Sequence, residues 1–295
     1  LHIRFGVKLM QQMFLGLGAK VIEQTVSDGD TNVDASTLFG SDYADSVAKR
    51  LIIPAGVEIG ATGSTSNRAL TIPAGMGGTL EIKNLGTISG FGGTGGAKAG
   101  GTPKGQTPQT GTAGTAGGSA IYIAVNGVSV NNTGTIRGGG GGGDGGDAGD
   151  DGGLTTNGMF AVTSGSWAGY YCHPGGGGAG GDGGNGQGYN TAATNGQSGA
   201  GGAPRESGGT NWAAKGYQGS AIRAACDSQA AGDPNKNYFN GQSGENGGNG
   251  GGFGQAGEGS GNEAGTGGAA GKYIELASGI SLSNTPSGTL QGTAP

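Results

Sequence analysis

Large aromatic side chains are concentrated between residues 154 and 242, where both tryptophans and most of the tyrosines lie. Two segments there, 154–174 and 189–242, have neither the period of a helix nor that of a strand outside a short glycine run. Rings on irregular loops of a rigid scaffold are typical of recognition surfaces, because Tyr and Trp provide contact area at low entropic cost. The alternative is that the rings pack on one another only to cover a glycine-rich domain. We predict recognition loops whose contact residues are Trp167, Tyr170, Tyr171, Trp212, Tyr217, Tyr238 and Phe239.

The two cysteines, Cys172 and Cys226, lie one in each aromatic segment. A disulfide between them would close a loop of roughly 55 residues and stabilise the fold by about 4 kcal/mol in the chain-entropy estimate. An extracellular particle permits such a bond, which would preorganise the two loops. The alternative is a pair of buried free thiols, and we favour the bridge.

Catalytic chemistry has little support in the sequence. His173 follows Cys172 directly, but the further His or Cys spacing of a zinc site is missing, and His2 is the only other histidine. No nucleophile-elbow motif accompanies these residues, and no Gly-Lys-Ser/Thr follows the glycine runs as in a phosphate-binding loop. We predict no catalytic residue and no cofactor.

Three aspartates, Asp144, Asp147 and Asp150, recur at a spacing of three residues. On a helix with three residues per turn they would lie on one face, where carboxylates could collect Ca²⁺. The nonapeptide repeat of calcium-binding β-rolls, with its large apolar residue, is absent. We therefore predict a solvated outer face and no metal site.

The elements that carry these residues must form without an ordinary hydrophobic core. Glycine supplies 77 of 295 residues, the apolar set is 32% and the charged set 12%. Such a composition usually means disorder, because glycine loses the most backbone entropy on folding and has no side chain to bury. With only 9 prolines and no sustained G-X-Y period, the chain is not collagen.

Charge and hydropathy exclude two further classes of partner. The net charge is −5, and the 15 Lys and Arg residues are dispersed, so no basic stripe is available for nucleic acid. The longest apolar stretch, 10–19, is interrupted by Gln11, Gln12, Gly16 and Gly18 and is too short to cross a bilayer.

An internal repeat is the most informative pattern. One copy spans 79–90, a second 128–138 and a third 280–292, the last with two residues inserted before Gly288. The matched positions of the first two copies are Leu80 and Val128, Ile82 and Val130, Asn84 and Asn132, Gly86 and Gly134, Ile88 and Ile136. Other short apolar alternations occur at 51–53, 70–72, 121–123 and 273–276. Period-two alternation bounded by Gly and Asn predicts half-buried strands with tight turns, and such units are expected to stack as β-solenoid turns do.

The glycine-rich excursions between these strands have a period of three. Gly140, Gly143, Gly146, Gly149 and Gly152 form one series, and 175–186 contains two. Polyglycine II has three residues per turn and no internal hydrogen bonds, so its N–H and C=O groups must find partners on neighbouring helices. We predict a bundle of packed polyglycine II helices.

The fold class that follows is mostly β and irregular structure with little α-helix: short stacked, solenoid-like strand units lead into the polyglycine II bundle, which carries long irregular loops. We predict an N-terminal attachment segment at 1–50, a strand repeat region at 51–137, the polyglycine II domain at 138–271 and a closing strand repeat at 272–295. Within the first segment, the apolar positions Met10, Met13, Phe14, Leu17 and Val21 suit an amphipathic helix.

Strand pairs ending in Asn-x-Gly-Thr-Ile-x-Gly and leading into glycine runs, as at 84–96 and 132–146, resemble the tips of bacteriophage tail fibres. Glycine runs alternating with aromatic loops also resemble the tip adhesins of T-even-like phages, in which polyglycine II helices present variable loops. The resemblance, which covers about 52–292, implies a virion protein at the distal end of the tail fibre. It implies binding of an outer-membrane protein or lipopolysaccharide on a Gram-negative host, attachment to the remainder of the fibre, and a monomeric or homotrimeric tip. The competing interpretations are a structural or ice-binding polyglycine II protein and a bacterial surface protein.

Overall fold

The computed structural model describes residues 20–102, 106–149, 177–201, 242–260 and 266–295, together with the backbone of three short strands between them. Within this part the chain is mostly strand, and helix is limited to α1 (Ala35–Phe39) and a 3₁₀ turn at Gly40–Tyr43. In chain order the strands are β1 (Val21–Thr25), β2 (Val33–Asp34), β3 (Ala48–Ile53), β4 (Glu58–Gly60), β5 (Leu70–Ile72), β6 (Leu80–Asn84), β7 (Thr87–Ser89), β8 (Ile121–Ile123), β9 (Val128–Asn132), β10 (Thr135–Arg137), β11 (Phe160–Ala161), β12 (Tyr171–His173), β13 (Glu206–Gly208), β14 (Ile274–Leu276) and β15 (Thr289–Gln291).

Twelve of these strands form three parallel sheets of four strands each. The first sheet has the order β1-β3-β6-β9, the second β4-β7-β10-β15 and the third β2-β5-β8-β14. After β3 and again after β6 the chain visits the three sheets in turn and adds one strand to each. The predicted repeat thus corresponds to successive passages of the chain, and the expectation of strands with little helix is confirmed.

The parallel register places equivalent apolar residues of the repeat beside one another. Ile82 of β6 pairs with Leu51 on one side and Val130 on the other, and Ile88 of β7 lies between Ile59 and Ile136. These six side chains are fully buried, and alternate residues along the strands face the core. Burial of each large aliphatic side chain stabilises the folded state by roughly 1.5–3 kcal/mol. The apolar core therefore lies within the three-sheet region.

The turns that close each passage require glycine. Gly75, Gly127 and Gly279 follow the third-sheet strands β5, β8 and β14, and their φ angles are 91°, 84° and 78°. A Cβ is strained in this left-handed region, whereas glycine enters it at no steric cost. The predicted turn glycines are thus explained by backbone geometry.

Buried asparagines replace apolar residues at the end of the first-sheet strands. Asn84 and Asn132 are fully buried, and the side-chain amide of Asn84 donates to Oδ1 of Asn132 at 2.7 Å. In the third copy the equivalent Asn284 lies outside any strand. Its amide instead pairs with both the N–H and the C=O of Val130, at 2.8 and 3.0 Å. Asn284 thereby closes the exposed edge of β9, and only the second half of the third copy forms a strand, β15.

Both glycine-rich excursions leave from neighbouring strands. The first follows β7 and returns at β8, and the second follows β10 and returns at β14. Because β7 and β10 are paired, the two excursions begin side by side, and their hydrogen bonding continues with Gly90 N–H donating to Arg137 C=O. Beyond that point the donors recur every third residue, at Gly93, Gly96 and Ala99.

Segment 138–149 is the centre of the glycine-rich region. Its N–H groups donate in turn to the carbonyls of three neighbouring segments, 106–118, 177–188 and 255–260. Its C=O groups accept from three others, 90–102, 242–254 and 266–273. Six neighbours thus bind most backbone groups of one segment without any apolar core.

Such close packing leaves no room for a side chain at the glycines of the central segment. An added Cβ on Gly142 would lie 2.0 Å from the carbonyl oxygen of Thr94, and one on Gly143 would lie 2.0 Å from that of Gly248. The obstacles are backbone atoms that are themselves hydrogen-bonded, so they cannot yield cheaply. Glycine at these positions is required by the approach of neighbouring chains.

Side chains replace missing backbone acceptors at other contacts between segments. The hydroxyls of Thr112 and Thr115 accept from the N–H groups of Ala97 and Thr94. Further pairs at the same three-residue spacing accept from N–H groups of adjacent segments: Asp182 with Asn185, and Asn246 with Asn249. The polar residues that interrupt the glycine runs are thus part of the hydrogen-bond network.

Candidate recognition surface

Hydrogen-bond register fixes the two ends of the glycine-rich region. Tyr189 N–H donates to Gly90 and Gly254 N–H donates to Gly138, so these residues lie at the end nearest the sheets. At the opposite end, which we call the far end, the paired residues are Ala99 with Gly146, Gly177 with Thr102, Gly149 with Gly178, Ala200 with Ala179, and Gly178 with Gln242. The chain leaves the described segments at 149 and 201 and re-enters them at 177 and 242. The connections that contain the predicted aromatic loops therefore start and finish at the far end.

Most of the predicted contact residues fall outside the described part of the chain. They are Trp167, Tyr170, Trp212, Tyr217, Tyr238 and Phe239, and Cys226 falls there as well. Tyr171 and Cys172 lie in β12, whose backbone alone is described. The recognition loops and the disulfide therefore stay predictions.

A small antiparallel sheet joins the two connections. Its central strand is β12, which pairs with β11 of the same connection and with β13 of the other. Cys172 thus lies opposite Phe160 on one side and Ser207 on the other. No alternation in the sequence marked these short strands, but their pairing brings the backbones of the two aromatic segments together.

Tyr189 lies at the end of the glycine-rich region nearest the sheets, opposite the far end. It is 9% exposed, and its ring covers Gly60, where an added Cβ would lie 1.9 Å from Cγ of Tyr189. Residues 191–200 that follow form backbone hydrogen bonds with 179–188. Within the predicted loop 189–242, this part therefore belongs to the glycine-rich packing.

The prediction of a solvated aspartate face is wrong for the two aspartates that the structure describes. Asp144 is 0% exposed and Asp147 is 8% exposed, because their segment is the one enclosed by six neighbours. Asp150 lies outside the described residues. Spacing alone could not indicate that neighbouring segments would enclose these side chains.

The two buried aspartates have different partners. Oδ1 of Asp147 accepts from the N–H of Gly111 at 2.7 Å. Oδ2 of Asp144 accepts from the hydroxyl of Ser260 at 3.2 Å, whereas its Oδ1 has no hydrogen-bond partner. Burial raises the pKa of Asp144, an effect that hydrogen bonding from Ser260 opposes and the nearby charge of Asp147 reinforces.

Other site types find no support in the described residues. No group of three His, Cys, Asp or Glu side chains converges there as a metal site would require. No helix in the same part is long and apolar enough to span a membrane.

The predicted amphipathic helix at the N-terminus lies almost entirely outside the described residues. Its last position, Val21, is described and is the first residue of strand β1. Residues 21–50 thus contribute strands to the first and third sheets.

Comparison with known proteins gives a family match over most of the chain. The sequence profile of the family described as phage tail fibre adhesin Gp38 matches residues 21–295. No curated protein matches the chain significantly. A similar solved structure is the crystal structure of the gp37-gp38 adhesin tip complex of the bacteriophage S16 long tail fiber, at 19% sequence identity. The similarity covers 92% of this chain and 82% of that one, with a TM-score of 0.43.

Proposed function

The chain belongs to the phage tail fibre adhesin Gp38 family, and on that premise we propose that it binds an outer-membrane protein or lipopolysaccharide on a Gram-negative host. Because the family profile covers 21–295, the adhesin role and the location in the tail fibre of the virion apply to nearly the whole chain. The family is one of adhesins and not of enzymes, so a catalytic or ice-binding role has no support from it. Within the fibre, we place the protein at the distal end, where a receptor is first encountered.

The scaffold of this adhesin is a solenoid-like stack of three parallel sheets that continues into packed polyglycine II helices. Two observations support this assignment: hydrogen-bond donors recur every third residue, and segment 138–149 exchanges backbone hydrogen bonds with six neighbours. Three residues per turn with outward-pointing N–H and C=O groups are the properties of polyglycine II. A scaffold held by backbone hydrogen bonds on all sides supports loops rigidly.

Receptor contact is made by the aromatic loops at the far end. The single observation that carries this proposal is that the connections containing both loops start and finish at that end, away from the sheets. The contacts are Trp167, Tyr170, Tyr171, Trp212, Tyr217, Tyr238 and Phe239, and a Cys172–Cys226 bridge would hold the loops together. The N-terminal segment, 1–50, attaches the protein to the rest of the fibre.

Adsorption competition tests this function. Purified protein is incubated with outer-membrane preparations from a panel of Gram-negative bacteria, and retention is measured before and after protease treatment of the membranes. Saturable binding that proteolysis removes identifies a protein receptor, and binding that survives identifies lipopolysaccharide. Retention by no preparation would contradict the proposal.

Substitutions in the loops separate receptor contact from scaffold integrity. Trp167→Ala or Trp212→Ala should lower adsorption about tenfold or more, as buried aromatic contacts at interfaces commonly do, with little change in melting temperature. Thr94→Ser, on the flank of the glycine-rich region, is the matched control and should adsorb normally. If both tryptophan variants adsorb as the wild type does, receptor contact lies elsewhere.

A further inference from the structure

A cleft opens at the far end of the glycine-rich region between three of its segments. It is bounded by 107–110, 147–149 and 242–245, and its volume is about 400 Å³. Binding sites for small groups commonly measure about 300–1,000 Å³. The cleft is therefore large enough to admit an entire amino-acid side chain with its hydration.

The cleft has a buried floor and exposed walls. Asp147, Ala148 and Gly149 of the central segment form the floor and are buried, whereas Thr107 and Gln242 on the walls are exposed. Most side chains around the opening carry hydroxyl, amide or carboxylate groups. Among the described residues, the cleft thus has exposed walls and a polar lining in which hydrogen-bond acceptors predominate.

Two carboxylates set the charge of the cleft, and no lysine or arginine is among its described lining residues. Asp147 uses one oxygen to accept from Gly111, while Oε2 of Glu245 is buried without any hydrogen-bond partner. A buried carboxylate oxygen without a partner is costly, so a cation placed in the cleft would remove that cost.

We propose that this cleft binds a cationic side chain of the host receptor, arginine in preference to lysine. The inference deepens the adhesin function and depends on it. A guanidinium presents five N–H donors in one plane. The cleft lining contains acceptors for them, namely the carboxylates of Asp147 and Glu245 and the side-chain amide oxygens of Gln109 and Gln242. A bare metal ion fits less well, because no three metal-ligating side chains converge among the described residues.

The position of the cleft suits this role. Gly149 is the last described residue before one aromatic connection, and Gln242 is the first after the other. A receptor that contacts the aromatic loops would therefore come within reach of the cleft. The loops provide apolar contact area, and the cleft provides charge selectivity at their base.

Titration of the full-length protein with a small cationic probe tests the inference. The probe is N-acetyl-arginine amide, N-acetyl-lysine amide is a second cation, and the neutral isostere N-acetyl-citrulline amide is the control. Amide resonances of Ala148 and Gly149 report occupancy by NMR. We expect saturable shifts with a dissociation constant on the order of 1 mM for the arginine probe, weaker binding of the lysine probe and none of citrulline.

Two isosteric variants locate the binding. Glu245→Gln should weaken binding of the arginine probe about tenfold, whereas Glu258→Gln, which removes an exposed carboxylate of a neighbouring segment, should leave it unchanged. Absence of saturable binding by the wild type, equal binding of citrulline, equal binding by Glu245→Gln, or binding of Ca²⁺ in place of the arginine probe would each overturn the inference.

Adsorption measured on the same preparations separates this inference from the adhesin function. If Glu245→Gln adsorbs less well than Glu258→Gln to cells, and the difference disappears at high salt, the cleft contributes to receptor binding. If the wild type adsorbs to cells but does not bind the probe, the cleft inference fails and the adhesin function stands.

Discussion

The three-sheet region and the glycine-rich region are stabilised in opposite ways. In the sheets, large aliphatic side chains such as Ile82 and Ile88 fill a dry core, and every second residue of a strand contributes. In the glycine-rich region, segment 138–149 is equally enclosed, but what surrounds it is backbone. The sheet region is therefore sensitive to the loss of side-chain volume, whereas the glycine-rich region is sensitive to its gain.

This difference bears on the proposed recognition loops. A core of side chains must keep its volume constant, so it tolerates few changes of sequence. In the glycine-rich region, the backbone hydrogen bonds place the same demand mainly on the glycines. If the proposed loops contact the receptor, their sequence can vary without disturbing the hydrogen bonds of the segments that carry them.

Gly143→Ala should produce the largest effect. Its methyl group would lie 2.0 Å from the carbonyl oxygen of Gly248, which already accepts from the N–H of Gly184. Relief would require moving a hydrogen-bonded segment, so we expect destabilisation of more than about 4 kcal/mol. Thermal unfolding measures the loss, and amide hydrogen exchange should show it across 138–149 before the sheets are affected.

The matched control is Gly201→Ala, where no atom lies within 4 Å of the added methyl group. This substitution should be neutral or stabilise the protein by about 0.5 kcal/mol, because alanine lowers the entropy of the unfolded chain. Equal tolerance of alanine at both positions would show that close backbone packing does not hold the region together.

The sequence predicted the sheet region better than the glycine-rich one, for a physical reason. Repeats such as 79–90 and 128–138 carry their pairing information in side chains, so strands β6, β7, β9 and β10 could be predicted from apolar alternation. Strands β1 and β2 were missed because they lack the repeat and form by pairing with β3 and β5. A glycine segment, by contrast, pairs through backbone N–H and C=O groups that are the same at every glycine, so its sequence does not indicate which segments will be its neighbours.

The buried aspartates show the same limit at the candidate site. A spacing of three residues predicted one face for Asp144 and Asp147, but only the six-neighbour packing decides that these side chains are enclosed. The cleft with Glu245 was equally hidden, since its walls, 107–110 and 242–245, come from segments that are far apart in the sequence. That 149, 177, 201 and 242, the described residues flanking the two aromatic connections, lie at one end follows from hydrogen-bond register, which could not be predicted from the sequence.

A moderate effect is expected from pH, and it should be confined to the glycine-rich region. Burial raises the pKa of Asp144 in the folded state. The stabilisation from its neutral form is complete below the unfolded pKa and is lost as pH rises through the folded pKa. The melting temperature should therefore fall as pH rises from mildly acidic to neutral, and Asp144→Asn should reduce this fall.

Asp182 is the control of opposite sign. The N–H of Lys98 donates to its carboxylate and, with the Lys98 side chain, lowers the pKa of Asp182. Its contribution is present at neutral pH and is lost as pH falls through the folded pKa. Asp182→Asn should leave the Asp144-dependent fall unchanged. A wild-type melting temperature that rises towards neutral pH through this window would contradict the role assigned to Asp144.

The smallest effect tests whether side chains at the edge of the glycine-rich region act as backbone substitutes. Thr115→Val keeps the shape of the side chain but removes the hydroxyl that accepts from Thr94 N–H at 2.7 Å. Because the site is exposed and water can replace the lost partner, we expect destabilisation of about 0.5 kcal/mol, or roughly 1–2 °C in melting temperature. Thr115→Ser retains the hydroxyl and should lose less. If the valine and serine variants had the same melting temperature, the hydroxyl of Thr115 would contribute nothing to stability. The hydrogen-bond network at this edge would then depend on backbone groups alone.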